Sequence, residues 1–268
     1  MSALPAATLV LLRDAPDAQV GGQAKRPEDG LEVLLLRRHA HAGFVPGAYV
    51  FPGGVLDAAD AAEAALARLD GLTPERAAER LGLVGAEPPA VAYYVAALRE
   101  TFEETGILVA VGPGGLAPHA SARDDTARRA REDLLEDRVG FAQVLERLRC
   151  RLDGGGLEYI AHWITPVSEP RRYDTRFFMA VVPSDAEPVA DPREMTDALW
   201  IRPADAVLGA AEARLPMITP TVRTLERLAG YRGTQEAFRS LAGLPVPTIL
   251  PAFATERNAL PPRPERSD

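Results

Sequence analysis

Strand-like and helix-like segments alternate along the chain in an order that predicts an α/β or α+β sandwich. Three observations carry this expectation. Segments at Thr8–Leu12, Leu31–Leu36, Leu157–Thr165 and Asp174–Val182 have the apolar, β-branched and aromatic content of strands. Between and after them, helical spacing and start signals occupy residues 58–86, 88–105, 126–149 and most of the chain from Pro203. The composition, 47% hydrophobic and 25% charged over 268 residues, suits a globular chain long enough to bury a full core.

Thr8–Leu12 is the first strand. The apolar run that contains it, Ala3–Leu12, is too short for a bilayer span, includes Pro5 and has no basic leader. Neither a membrane anchor nor a signal peptide is therefore expected. A polar turn over residues 14–30 leads into Leu31–Leu36, which makes an opening hairpin. Arg37, Arg38, His39 and His41 follow, then the loop Phe44–Gly54. Residues 58–86 hold two helical stretches, the second starting with Thr73 as N-cap and Pro74 at the first helical position. Pro88-Pro89 opens a longer helix that runs to Thr105 and stops at Gly106. Ile107–Val111 is expected as a short strand, residues 112–125 as a loop, and residues 126–149 as amphipathic helix with a break at Gly140. After the turn Asp153–Gly156 come strands at 157–165, 174–182 and Ala198–Ile201, then helices broken at Pro216, Gly230–Gly233 and Gly243. The tail Pro261–Asp268 is expected to be disordered, and there is no internal repeat.

The net charge of −8, from 30 basic and 38 acidic residues, argues against a non-specific nucleic-acid binder. All but one of the basic residues are arginines, which grip phosphate and carboxylate in two-point fashion. The single cysteine, Cys150, rules out an intrachain disulfide, argues against a cysteine zinc site and fits a reducing cytoplasm.

The chemistry concentrates in Arg99-Glu100-Thr101-Phe102-Glu103-Glu104-Thr105-Gly106-Ile107. At about 100° per residue, Val91, Val95, Leu98 and Phe102 share one core-facing stripe, and Glu100, Glu103 and Glu104 cluster opposite. Like charges at these spacings repel by roughly 0.2–0.5 kcal/mol per pair, and the C-terminal end of the helix dipole disfavours them further. A divalent cation with a preference for hard oxygen ligands, Mg²⁺ or Mn²⁺, would reverse both penalties. A solvated acidic face would carry the same three glutamates. The second signal is Phe51-Pro52-Gly53-Gly54-Val55, where paired glycines let the backbone approach a ligand closely.

Together these segments resemble the Nudix hydrolase signature: Gly54, Asp60, Arg99, Glu100, Glu103, Glu104, Gly106 and Ile107 match it in order. Asp60 stands where glutamate is usual, Thr101 where an aliphatic residue is usual, and the spacer 61–98 is far longer than in the common signature. Such a split box is similar to that of the subfamily of the peroxisomal acyl-coenzyme A diphosphatase. The likeness extends to Trp163-Ile164-Thr165-Pro166 and Arg171–Phe178 and covers residues 8–230. The C-terminal Arg-Ser-Asp is not a peroxisomal address, which favours a cytoplasmic bacterial relative.

The resemblance implies a Nudix-type α/β/α sandwich with a mixed sheet. It implies a Nudix domain over 1–215, with a helical insert at 61–90 on the pocket rim, and a C-terminal helical extension with a flexible tail over 216–268. It also implies hydrolysis of a nucleoside diphosphate linked to another group, coenzyme A or acyl-coenzyme A first. ADP-ribose or a dinucleotide, or a catalytically silent binding module, are the alternatives. Glu100, Glu103 and Glu104 would hold Mg²⁺ or Mn²⁺, with Glu100 also a candidate to activate water. Arg99 would orient a glutamate, and Gly53 and Gly54 would line the substrate site. Glu194, with Glu187 behind it, is a candidate base on a later loop. Arg171, Arg172 and Tyr173 are the candidate substrate grip, with structural ion pairing the competing role for the arginines. Phe177 is expected in the core, Trp163 and Trp200 in the core or pocket wall, and His39 and His41 on the surface. The partner is a small nucleotide-diphosphate substrate, with no nucleic acid and no membrane; the oligomeric state stays open, a homodimer included.

Overall fold

Four strand-like segments of the sequence form the middle of one mixed sheet. The structure is a computed structural model, and it describes residues 2–16, 30–43, 45–112 and 125–252. The expected disorder at 261–268 and most of the polar turn at 14–30 lie outside the described residues.

Strand β1 (Leu4–Asp14) is the hub. One of its edges pairs in parallel with β9 (Tyr173–Val181) along most of its length. The other edge is shared: the C-terminal end pairs antiparallel with β2 (Leu31–Arg38), and the N-terminal half with the short β4 (Gly53–Val55). β3 (Tyr49–Val50) pairs with β2, and β10 (Met195–Ile201) lies on the far side of β2. β8 (Glu158–Ile164) runs antiparallel to β9 and receives β11 (Thr248–Ile249) in parallel. The sheet order is therefore β10-β2-β1-β9-β8-β11.

Alternation along β1 and β2 divides the core between the two faces. Leu9, Leu11 and Leu34 face α3 (Ala90–Thr105), where Val95, Leu98, Phe102 and Phe178 complete the packing. Val10, Leu12, Val33 and Leu35 face the opposite side. There they meet Leu225 and Leu228 of α7 (Thr219–Leu228) and Ala237 and Leu241 of α8 (Thr234–Leu241). Helix α6 (Pro203–Ala211) packs beside α7. The result is the helix–sheet–helix sandwich that the sequence predicts. Among the described residues, no helix is long and apolar enough to cross a membrane.

Helix α3 is buried almost all round, more than its single apolar stripe suggests. Thr101 shows how: fully buried, it donates Oγ1–H to Ala97 O at 2.7 Å, so the hydroxyl is satisfied inside the helix. Gly106 ends the helix with φ 72°, a left-handed cap in which its N–H donates to Phe102 O at 2.8 Å.

The insert differs from the expectation. Residues 61–90 hold α1 (Glu63–Leu66) and α2 (Pro74–Leu81), with Thr73 capping α2 as anticipated, but also a strand, β5 (Leu69–Asp70). β5 joins β6 (Ala110–Val111) and β7 (Arg151–Asp153) in a small second sheet. Ala65, Leu69, Leu72, Ala77 and Leu81 belong to the same buried cluster as α3, and Arg80 forms an ion pair with Glu158 of β8. The insert thus packs into the core on the α3 side. The anticipated break at Gly140 separates α4 (Asp125–Leu135) from α5 (Phe141–Arg147). Residues 216–252 are likewise no appendage, because α7, α8 and β11 complete one face and one edge of the main sheet.

Candidate active site

The glutamates of α3 reach the gap where β4 covers one end of β1. Gly54 explains why glycine is required there. A Cβ on Gly54 would stand 2.5 Å from both Cδ and Oε1 of Glu100, so the Glu100 carboxyl rests directly on the Gly54 backbone. Gly53 has φ 154°, and a Cβ there would collide with the backbone of Ala7 and Thr8. Its N–H donates to Glu104 Oε2 at 3.0 Å. The paired glycines therefore accommodate glutamates of α3 in addition to lining the pocket.

Arg99 organises the acids. It makes a two-point bond to Asp60, Nε to Oδ1 at 2.8 Å and Nη2 to Oδ2 at 2.9 Å. Its Nη1 lies 2.9 Å from Glu100 Oε1 and 3.0 Å from Glu103 Oε2, and Nη2 donates to Val55 O. Asp60 itself is 1% exposed, held in a 3₁₀ turn (Ala58–Ala61) whose capping box has Asp57 N–H donating to Asp60 Oδ2 at 2.8 Å. Asp60, the departure from the usual glutamate, thus serves as the anchor of Arg99.

The Glu104 carboxyl is buried, and those of Glu100 and Glu103 are only partly exposed. Burial raises Glu103 to about 7, against the opposing pull of Arg99. Burial also raises Glu100, again opposed by Arg99, and lifts Glu104 well above the ordinary carboxylate range, reinforced by the field of Glu100. Burial would lower the Arg99 guanidinium, but its bonds to Asp60 and the surrounding anions drive it up instead. The expected penalty at the helix C-terminus is met by the 189–191 loop and by α4. Arg131 donates Nε and Nη2 to Glu103 O at 2.9 and 2.7 Å, Asp191 N–H to Glu104 O, and Val189 N–H to Thr105 O.

That loop also delivers Glu194. Its side chain is exposed, lines the same cavity as Glu100, and raises both Glu100 and Glu104 by its charge. Glu187, the reserve candidate, instead pairs with Arg13 at 3.7 Å. Arg38, passed over in the sequence, also lines the cavity and lowers Glu104. Its place at the end of β2, just before the loop leading to the glycines, was the available signal.

The cavity has a volume of about 460 Å³. Gly53, Gly54, Glu100 and Glu194 stand at one side, Trp163, Tyr173 and Phe177 along the sheet, and Ile218–Thr221 at the start of α7 opposite. Tyr173, Gly53 and Gly54 thus line one cavity. Arg171 and Arg172 do not. Arg172 donates Nε to Thr165 O and Pro166 O, each at 3.1 Å, and Arg171 reaches Gly43 O at 3.4 Å; neither lines the cavity. These arginines tie loops together at the rim. No residue of 61–90 lines the cavity either, which corrects the expected rim position of the insert. His39 and His41 stack on each other at 5.2 Å, away from the lining.

An all-oxygen, buried and mutually repelling donor set is the chemistry a hard divalent cation satisfies. Among the described residues, however, no three acidic or imidazole side chains converge as ready metal ligands. Glu103 is turned to Arg99 and Glu104 to Gly53. Arg99 occupies the centre of the anionic cluster, so the donor set fits a cation in kind, with Glu103 needing to change partners to join it.

The family description that matches the chain is the NUDT19 Nudix domain, over residues 5–228. Similar proteins include the human acyl-coenzyme A diphosphatase NUDT19, 28% identical over 271 residues, covering 89% of this chain and 72% of that protein. The chicken protein of the same name is 30% identical over 239 residues, covering 75% of this chain and 61% of its own, so the chain spans less than two thirds of that relative. Among solved structures, a NUDIX hydrolase from Alicyclobacillus acidocaldarius superposes with a TM-score of 0.70 at 30% identity, over 91% of this chain and 99% of that one.

Proposed function

Because the chain belongs to the Nudix hydrolases, in the family of the NUDT19 Nudix domain, we propose that it is a divalent-cation-dependent diphosphatase of coenzyme A and its thioesters. Hydrolysis of diphosphate bonds follows from the family. The substrate is proposed from the likeness to acyl-coenzyme A diphosphatases. The observation that carries the reading is the junction of Arg99 with Asp60, Glu100 and Glu103, which Glu100 joins to a cavity large enough for part of a nucleotide-linked chain.

Glu100, Glu103 and Glu104 would hold Mg²⁺ or Mn²⁺, which would supply neutralisation of the charge that develops on the diphosphate oxygens. Arg99 opposes the protonation of Glu100 and Glu103 and aims both carboxyls, and Asp60 holds Arg99 in place from its other side. Gly54 seats the Glu100 carboxyl against the backbone, and with Gly53 it lines the cavity where the diphosphate would lie. Glu194, exposed on the cavity wall, takes the proton of the attacking water as its oxygen bonds to phosphorus and the bridging P–O bond breaks. Tyr173 and Phe177 form the wall along which the rest of the substrate lies.

A hydrolysis panel of coenzyme A, an acyl-coenzyme A, ADP-ribose, NADH and dinucleoside polyphosphates tests this reading. The highest kcat/KM should fall on coenzyme A or its thioester. A clear preference for ADP-ribose or a dinucleotide would replace coenzyme A, and no turnover of any of them would leave a silent binding module.

A further inference from the structure

The last four carbonyls of α3 all have donors, and only the cap residue Gly106, bonded to Phe102 O, is local. Glu103 O accepts from Arg131 of α4, Glu104 O from Asp191 N–H at 3.0 Å, and Thr105 O from Val189 N–H at 2.8 Å. The turn that carries Glu103 and Glu104 is therefore stitched both to α4 and to the loop 189–194. Those two are also joined to each other. Arg193 donates Nη1 to the carbonyl of Leu135, the last residue of α4, at 2.7 Å. Its Nε donates to Asp191 Oδ1 and Oδ2 at 3.0 and 3.1 Å. Glu194 follows directly, its N–H donating to Asp191 O at 3.1 Å and its carbonyl accepting from His39 N–H at 2.9 Å. Helix α3, α4 and the loop close a triangle whose three sides are Glu103 to Arg131, Leu135 to Arg193 and Asp191 to Glu104.

The donor at Glu103 O is more than a helix end requires. Arg131 is 8% exposed, and burial works against its charge, while the fields of Asp191, Glu103 and Glu104 favour it. A neutral donor would satisfy one carbonyl without a buried cation. The anions that sustain the charge are those of the site itself and of the loop that leads to Glu194. Neither Arg131 nor Arg193 lines the cavity, so each acts through the groups it holds.

Resting on the proposed diphosphatase reading with Glu194 as base, we infer that α4 is a brace and that Arg131 and Arg193 are positioning residues. Arg131 holds the glutamate-bearing end of α3, Arg193 holds the loop that delivers Glu194, and α4 sets the distance between the two. One rigid element gripping both sides removes their independent motion, and a misplacement of 1 Å costs about 10²-fold in rate. The brace lies outside the signature residues 54–107 and meets them only in the fold.

Arg193→Met is the cleanest probe, because that side chain is 48% exposed and exposed ion pairs add little stability. On coenzyme A with Mn²⁺ the variant should lose about tenfold or more in kcat, with KM within about twofold and thermal melting nearly unchanged. In the Glu194→Gln background, where the base is already gone, the same substitution should cost less than about twofold. In the metal-free protein, Arg131→Met should speed amide exchange of Val189 and Asp191 about tenfold or more. Arg131→Lys, which keeps a charged donor, should bring that exchange back to within about threefold of wild type. Wild-type kcat in Arg193→Met, or an equal loss with and without Glu194, overturns the inference. So does unaltered exchange at Val189 and Asp191; if Arg131→Met does not fold, Arg193→Met decides alone. Wild-type kcat in Glu194→Gln itself overturns the base and with it the role of Arg193. Absence of turnover by the wild-type chain refutes the diphosphatase reading and leaves the brace to the exchange data.

Discussion

Gly54→Ala separates the site from the fold more cleanly than any glutamate substitution. The new Cβ would lie 2.5 Å from Glu100 Cδ and Oε1 and 2.6 Å from Oε2. Carbon needs about 3.5 Å from such neighbours, so the carboxyl must retreat by about 1 Å. It can do so, because it is the end of a flexible side chain, and Gly54 has no positive φ to forbid alanine. Stability should therefore change by less than about 1 kcal/mol, the loss at the Arg99–Glu100 pair being offset by a less flexible unfolded chain. Catalysis should not be spared, because a 1 Å misplacement of a catalytic group costs about 10²-fold, or roughly 2.7 kcal/mol. Gly53→Ala is the control, since its Cβ meets backbone of β1 at a positive φ and must lift β4 away. That variant should lose about 2 kcal/mol or more of stability. The assay is kcat/KM on coenzyme A with urea unfolding of both variants. A Gly54→Ala enzyme with wild-type kcat/KM would remove Glu100 from the catalytic machinery, and one that unfolds as readily as Gly53→Ala would refute the geometric argument.

Glu103→Gln and Glu104→Gln should each abolish turnover at saturating Mg²⁺ while leaving metal-free stability equal or a few tenths of a kcal/mol higher, as measured by thermal melting. In metal-free protein Glu103, Glu100 and Glu104 have folded-state pKa values above their unfolded ones, Glu103 at about 7. The folded state then binds more protons, so stability should fall as pH rises from about 4.5 to 7, by at most about 1.4 kcal/mol per unit for each such group. Saturating Mn²⁺ should flatten that slope, and a slope unaltered by Mn²⁺ would contradict cation binding at these glutamates. Glu194→Gln should lower kcat by about 10²–10⁴ with little change in KM; a kcat within a few-fold of wild type assigns the base elsewhere. Replacing residues 61–90 by a short spacer should unfold the protein, since Leu69, Leu72 and Leu81 are buried and each contributes about 1.5–3 kcal/mol. Survival of the cooperative melt would show that the insert is dispensable.

The long strands, α3 and its cap at Gly106 were legible because periodicity and capping are local signals. The pairing of the glycine loop with the glutamate helix was legible only through the signature, which links residues 54 and 104 across the insert. What sequence could not supply was set by partners distant in the chain. β3, β4, β5 and β11 are two or three residues long and exist only through pairing. Arg171 and Arg172 lie beside the cavity-lining Tyr173, yet Arg172 turns to the carbonyls of Thr165 and Pro166. The wall at Ile218–Thr221 was assigned to an extension because nothing local marks a helix start as cavity-facing. Burial of Glu104 on the polar side of α3 depends on β4 and the 189–191 loop folding over it.

Product analysis of coenzyme A incubated with the protein tests the central claim most directly. With Mg²⁺ or Mn²⁺ present, chromatography should show equal amounts of 3′,5′-ADP and 4′-phosphopantetheine, and with a chelator neither. Coenzyme A left intact in the presence of metal, or cleaved equally well under chelation, would contradict the account.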